Sequence, residues 1–251
     1  MDRRERHKPF MATRVSSAQA QRSNSMNQKA QSWDPIWEEI YQSQEWGKYP
    51  PEYLIRFIAR RFYHLKDSDR NNVKILDLGC GTGACSWYIA REGFSVSGID
   101  GSTSAVERAS NRLKGEGLSA DLKVGDYMSL PWPDNHFDAV VDNVTLYCNR
   151  FKECKVAVNE VRRVLKQDGA FLSANFSDRT WGYGAGTEVE PSGFKDISEG
   201  PLTGRGFALF LSRSHLDELY RDFKRTSIER LSWTMESMTK EVELWIVTCT
   251  K

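Results

Sequence analysis

The chain has 251 residues and a mass of 28.8 kDa, enough for one large domain with a buried core or for two small ones, and a single domain is the expectation. Lys and Arg number 35 against 34 for Asp and Glu, a formal net charge of +1, which excludes a broad attractive field for nucleic acid or an acidic membrane surface. Five scattered cysteines, Cys80, Cys85, Cys148, Cys154 and Cys249, include no CxxC pair and no His-containing cluster at ligand spacing, so a reducing compartment and no bound metal are expected.

Residues 1–31 are rich in Arg, Ser, Gln and Asn with hardly any large apolar residue after Met11, and read as a disordered tail, with an organelle transit peptide as the alternative. No run approaches the roughly 18 consecutive apolar residues of a membrane span, so a soluble, cytoplasmic protein with no membrane partner is expected. From Ser32 the texture changes. Leu54, Ile55, Phe57, Ile58, Phe62 and Leu65 follow helical spacing after Pro50-Pro51, predicting one or two helices over 32–70 that lead into the core and lie over the site as a lid. Trp33, Trp37 and Trp46 read there as core anchors rather than as an aromatic cage.

An alternation follows. Strands are expected at Val73–Leu78, Phe94–Ile99, Ala120–Val124, Phe137–Asp142 and Ala170–Asn175, with helices at Gly83–Arg91, Thr103–Lys114 and Lys152–Leu165. Alternating β and α at these lengths predicts an α/β fold, a doubly wound, mostly parallel sheet with helices on both faces. The stretch 176–206 breaks the rhythm with seven glycines and reads as a functional or mobile loop on the acceptor side. A helix near Arg213–Asp222 and strands at Ser227–Trp233 and Val242–Thr248 complete the domain, 32–251. The last two strands are joined too closely for a helical crossover, so they pair as an antiparallel hairpin.

The stretch "KILDLGCGTGACSWYIAREGFSVSGID" carries the chemistry. "GCGTGA" satisfies the dinucleotide pattern G-x-G-x-x-G/A, and Asp100 follows at the distance expected of a ribose ligand. Four features favour S-adenosylmethionine over a dinucleotide. Asp77 would repel a pyrophosphate but suits a cationic amino-acid tail. In "VGDY" a carboxylate, Asp126, can accept from an adenine amine. "LPWPDNHFDAVVDNVTLY" feeds a fourth strand that ends on Asp142-Asn143, and "EVRRVLKQDGAFL" is a helix that stops at Gly169 and turns into the fifth strand.

With these motifs in register, 73–175 resembles the class I S-adenosylmethionine-dependent methyltransferases, in particular the broad type 11 group. The resemblance implies a Rossmann-like methyltransferase fold, seven strands with an antiparallel last strand beside the edge. It also implies a role for each matching position. Asp77, Gly79 and Gly81 would line the methionine end, and Asp100 would hold both ribose hydroxyls. Gly101 and Ser102 would sit beside the adenosine, Asp126 would take the adenine amine, and Tyr127 would cover the ring. Asp142 would present its backbone near the methionyl amine. Many relatives carry a His pair after the fourth strand, where this chain has Tyr147 and Cys148.

Methyl transfer from a sulfonium runs largely on positioning and desolvation, with a general base only where the acceptor is a hydroxyl. Candidates for that base or for acceptor contact are Tyr147, Tyr183 and Glu188, followed by Trp181, Glu190, Tyr41 and Tyr49. His136, His64 and His215 read as ordinary turn and helix residues, and Cys80 as a space-filler. The expected partner is a small-molecule methyl acceptor, not nucleic acid. Methylation of a protein side chain, an NAD-dependent oxidoreductase on the same glycine loop, and a silent cofactor-binding scaffold stand as alternatives.

Overall fold

Lys74–Leu78 forms β1, in which Ile75, Leu76 and Leu78 are fully buried. The computed structural model describes residues 33–251, and the tail expected over 1–31 lies outside them. Helices α1 (Ile36–Ser43), α2 (Glu52–Phe62) and the short α3 (Asp67–Arg70) precede β1. The alternation then runs α4 (Ala84–Arg91), β2 (Ser95–Asp100), α5 (Thr103–Gly115), β3 (Asp121–Val124), β4 (Phe137–Asn143), α6 (Phe151–Val164) and β5 (Leu165–Phe176). A hairpin of β9 (Arg225–Met235) and β10 (Lys240–Thr250) closes the chain after α7 (Arg213–Leu219). The sequence places β1 to β4, β9, β10 and α4 to α7 within a few residues, but expects one or two helices over 32–70 where three stand.

The strands form one seven-stranded sheet in the order β3-β2-β1-β4-β5-β10-β9. β1 to β5 pair in parallel, while β10 is antiparallel to both β5 and β9. The order reverses between β1 and β4, and an open α/β sheet opens its ligand crevice at the carboxyl ends of the strands flanking such a point. Asp77, Gly79 and Asn143 stand there.

Two apolar layers hold the sheet. Ile75, Ala139 and Val141 pack with α2 and α4, where Leu54 and Ile58 are wholly buried; truncating either to Ala would cost about 2–5 kcal/mol. Leu76, Leu78 and Val140 pack on the other face with α6 and α7 through Val158, Val161 and Leu216. β5 begins earlier than its apolar pattern implies, because Leu165 pairs Phe137 before a bulge at 166–169 restores the register at Ala139↔Ala170. Asp168 there takes a positive φ of 59°.

The stretch 176–206 is not one open loop. It contains β6 (Thr187–Glu190) and β7 (Gly193–Lys195), which join β8 (Ala208–Leu209) in a small antiparallel sheet. These strands are too short, and too broken by glycine, to show a period-2 pattern. Among the described residues no helix is long and apolar enough to cross a membrane.

Candidate functional site

The chain leaves β1 through Gly79 and Gly81, whose φ values of +65° and +49° lie in the region that glycine enters without steric cost. The turn brings the Gly81 N–H to Asp100 at the end of β2. Asp100 Oδ2 accepts from Gly81 N at 2.9 Å and Oδ1 accepts from Ser102 N at 2.9 Å, so one carboxylate locks two loops together. Each oxygen keeps a further lone pair for a ligand hydroxyl. Burial raises the Asp100 carboxyl above its usual range, and the two N–H donors oppose that.

Asp77 is 2% exposed. Its Oδ2 accepts from both Ser86 N (2.9 Å) and Ser86 Oγ (2.6 Å) in α4, and burial pushes its carboxyl up to about 6. The parallel register sets Leu78 beside Asp142 and Asp77 beside Val141. Side chains alternate along a strand, so Asp142 points to the opposite face from Asp77, and its neighbour Asn143 shares the Asp77 face. Asp142 is fully buried among polar partners: Oδ1 accepts from Thr145 N at 2.9 Å and Oδ2 from Ser173 Oγ at 2.6 Å, while Tyr220 OH donates to Ser173 Oγ. Burial lifts its carboxyl to about 7. Its side chain fixes the turn that places Thr145 against Gly79.

The N-terminal segment covers this crevice. Trp33 packs on Gly101, where a Cβ would come within 2.5 Å of the indole, and Tyr41 OH would be 2.8 Å from a Cβ on Gly81. Trp33, Trp37 and Trp46 are thus half-buried walls of the cleft, while Ile40 anchors α1 in the core. The segment is tied down by Glu38, which accepts from Ser102 Oγ and Ser104 Oγ. Burial pushes the Glu38 carboxyl up, but these hydrogen bonds outweigh it and hold the group below its usual value.

Two chambers result. The larger, about 310 Å³, lies over Asp77, Gly79 and Gly81 and is walled by Trp37, Tyr147 and Arg205 among others. The smaller, about 60 Å³, lies over Asp100, Gly101 and Tyr127 beneath Trp33. They share Trp37, Tyr41, Gly79, Val144 and Thr145, so they are two ends of one cleft.

Of the sequence-derived positions, Asp77, Gly79, Gly81, Asp100, Gly101, Tyr127 and Tyr147 line this cleft. Ser102 is buried as the N-cap of α5, its Oγ accepting from Ala105 N. Asp126 lines neither chamber; its Oδ1 accepts from Met128 N at 2.9 Å. Tyr183 and Glu188 also line neither. Tyr183 is 45% exposed and packs edge-on against Phe194 and Phe210, and Glu188 accepts from Ser192 N within the small sheet. Burial, above all, drives the Tyr41 and Tyr147 phenols well above their ordinary range, so both stay protonated at neutral pH.

Sequence reasoning missed Asn143, Thr145, Tyr53 and Arg205. Tyr53 OH donates to Asn143 Oδ1 and so orients the amide at the cleft. The alternation of β4 could have revealed Asn143; nothing local marks Arg205.

Residues 75–169 match the family model described as a methyltransferase domain. The chain carries a methyltransferase domain of the class I S-adenosylmethionine-dependent kind. The cofactor of this family is S-adenosylmethionine. A methyltransferase structure from Methanosarcina mazei superposes on the domain with a TM-score of 0.58 at 26% identity, covering 70% of this chain and 91% of its own. The sterol 24-C-methyltransferase ERG6B of Gibberella zeae is 37% identical over 122 residues, 46% of this chain and 31% of that protein. The human EEF1A lysine methyltransferase 2 is 31% identical over 154 residues, 56% of this chain and 64% of that protein. The chain thus spans about a third of the length of the sterol methyltransferase it matches.

Proposed function

We propose that this chain transfers the methyl group of S-adenosylmethionine to a small-molecule acceptor. The observation that carries the reading is the joining of Asp77, the Gly79–Gly81 turn and Asp100 in one cleft at the reversal point of the sheet. When bound, the cofactor would supply an electrophilic methyl on a sulfonium, with a neutral thioether as leaving group.

The residues present fit that group. Asp77 would accept from its ammonium, Gly79 and Gly81 would let its tail approach the backbone, and Asp100 would accept from the ribose hydroxyls. Gly101 and Ser102 would flank the adenosine, Asp126 would accept from the adenine amine, and Tyr127 would cover the ring. Asp142 acts through the turn it fixes, holding Thr145 and the backbone of 143–145 at the methionine end. The half-buried Trp37 and Trp46, with the buried Tyr147 and Phe176, would exclude water around the acceptor and hold it in line. Because the Tyr41 and Tyr147 phenols remain protonated, they would orient the acceptor by donating hydrogen bonds rather than take its proton.

The relatives point to different acceptors: the name of one specifies a sterol, that of the other a lysine. The aromatic residues Trp37, Trp46, Tyr147 and Phe176 in the lining of the larger chamber support a small apolar acceptor over a protein side chain. Titration calorimetry with S-adenosylmethionine, S-adenosylhomocysteine and NAD tests the cofactor reading. Binding of the first two is expected, and tight NAD binding with no response to the others would overturn it. Transfer of label from methyl-labelled cofactor into a metabolite extract tests the acceptor, against a protein extract as the second arm.

A further inference from the structure

Among the described residues, the larger chamber is lined by one acid, Asp77, and one basic residue, Arg205. Arg205 lies at the end of the 176–206 stretch, and its guanidinium sits 4.7 Å from the Trp46 ring centroid and 5.9 Å from that of Trp37. Among the described residues it forms no ion pair, unlike Arg70, Arg150, Arg163 and Arg230. Its Nη1 is enclosed and has no hydrogen-bond partner, and the same is true of Trp37 Nε1. The two residues that carry these unmatched donors both line the chamber. A native fold matches most such groups, with water or a ligand where the chain itself supplies no acceptor.

We propose that Arg205, with the indole N–H of Trp37, binds a carboxylate of a small molecule held in this chamber. A guanidinium presents a planar fork that suits a carboxylate, and stacking on indole leaves its N–H edge free for one. Two molecules can bring that group: the amino-acid tail of the cofactor, which rests on the methyltransferase reading, and a carboxylate-bearing acceptor. With Asp77 also in its lining, the chamber offers one acid and one base to the first, a zwitterion.

The test uses the full chain, with Arg205→Met, Arg205→Lys and Trp37→Phe variants. Calorimetry measures S-adenosylhomocysteine and 5′-methylthioadenosine, which shares the nucleoside but has no amino-acid tail. It also measures benzoate against benzamide in the presence of saturating S-adenosylhomocysteine. For the cofactor source, Arg205→Met weakens S-adenosylhomocysteine by roughly 10- to 100-fold and leaves 5′-methylthioadenosine unchanged, which also reports an intact fold. Arg205→Lys recovers part of the loss, and Trp37→Phe shows a smaller one. For the acceptor source, S-adenosylhomocysteine binding is unchanged and the preference for benzoate over benzamide is lost. If neither changes, the carboxylate site is overturned. If the unaltered chain binds neither nucleoside, the methyltransferase reading fails instead, and benzoate against benzamide, measured without nucleoside, still decides this one.

Discussion

Ser102 Oγ donates to Glu38 Oε2 at 2.5 Å while accepting from Ala105 N at 3.1 Å. One hydroxyl thus caps the helix behind the Asp100–Ser102 turn and fastens the N-terminal segment across the cleft. Ser104 Oγ adds a second donor to the same carboxylate, so Glu38 is the fixing point of Trp33 over Gly101.

Glu38→Ala should loosen that segment, with a loss of about 1–3 kcal/mol of local stability for hydrogen bonds to a charged acceptor. Hydrogen exchange is expected to speed up at the amides of Ile36–Ser43 and to stay constant in α2, whose Leu54 and Ile58 lie in the core. Unchanged exchange in Ile36–Ser43 would show that the aromatic contacts alone hold it.

Asp100→Ala removes the shared acceptor of Gly81 N and Ser102 N. S-adenosylhomocysteine affinity should fall by about 1–3 kcal/mol, roughly 5- to 150-fold, as measured by calorimetry. An unaltered affinity would place the ribose elsewhere.

The Asp77 carboxyl sits near 6 because burial opposes its charge. An ammonium partner needs the ionised form, so affinity for S-adenosylhomocysteine should hold steady above pH 7 and decline as pH falls through about 6. The decline should be absent for 5′-methylthioadenosine, which has no ammonium. An equal decline for both would assign the effect to another group.

Asp142 is raised to about 7, against an ordinary 3.8. The folded state therefore holds a proton that the unfolded state has released over this window. The stability from that proton is fully present below pH 4 and is lost as pH rises through about 7, at about 1.4 kcal/mol per pH unit. In Asp142→Asn this component should vanish, so urea midpoints between pH 4.5 and 7 should fall less with rising pH than in the unaltered chain. A parallel pH profile in the two would show that Asp142 does not titrate there.

The legible parts of the site were those with local causes. Asp77, Gly79, Gly81 and Asp100 sit at the ends of adjoining strands, so their meeting follows from the βαβ pattern alone. Tyr183 and Glu188 were chosen for chemistry within a glycine-rich stretch, but that stretch folds on itself as β6 and β7, and Tyr183 spends its ring on Phe194 and Phe210. The tryptophans of 33–46 read as core anchors, yet they stand half-buried in the cleft wall, since an amphipathic ring suits either.

By itself the sequence determined the sheet, its parallel run, its antiparallel close and the cofactor-side turn, because hydrophobic periodicity and glycine placement are short-range properties. How the roof of the cleft is fastened was decided only by tertiary structure. Glu38 and Ser102 are 64 positions apart, and Arg205 stands far from Trp37 in the chain. No local pattern encodes such pairings; they arise when separate segments fold over the same end of the sheet and compete for its last exposed polar groups.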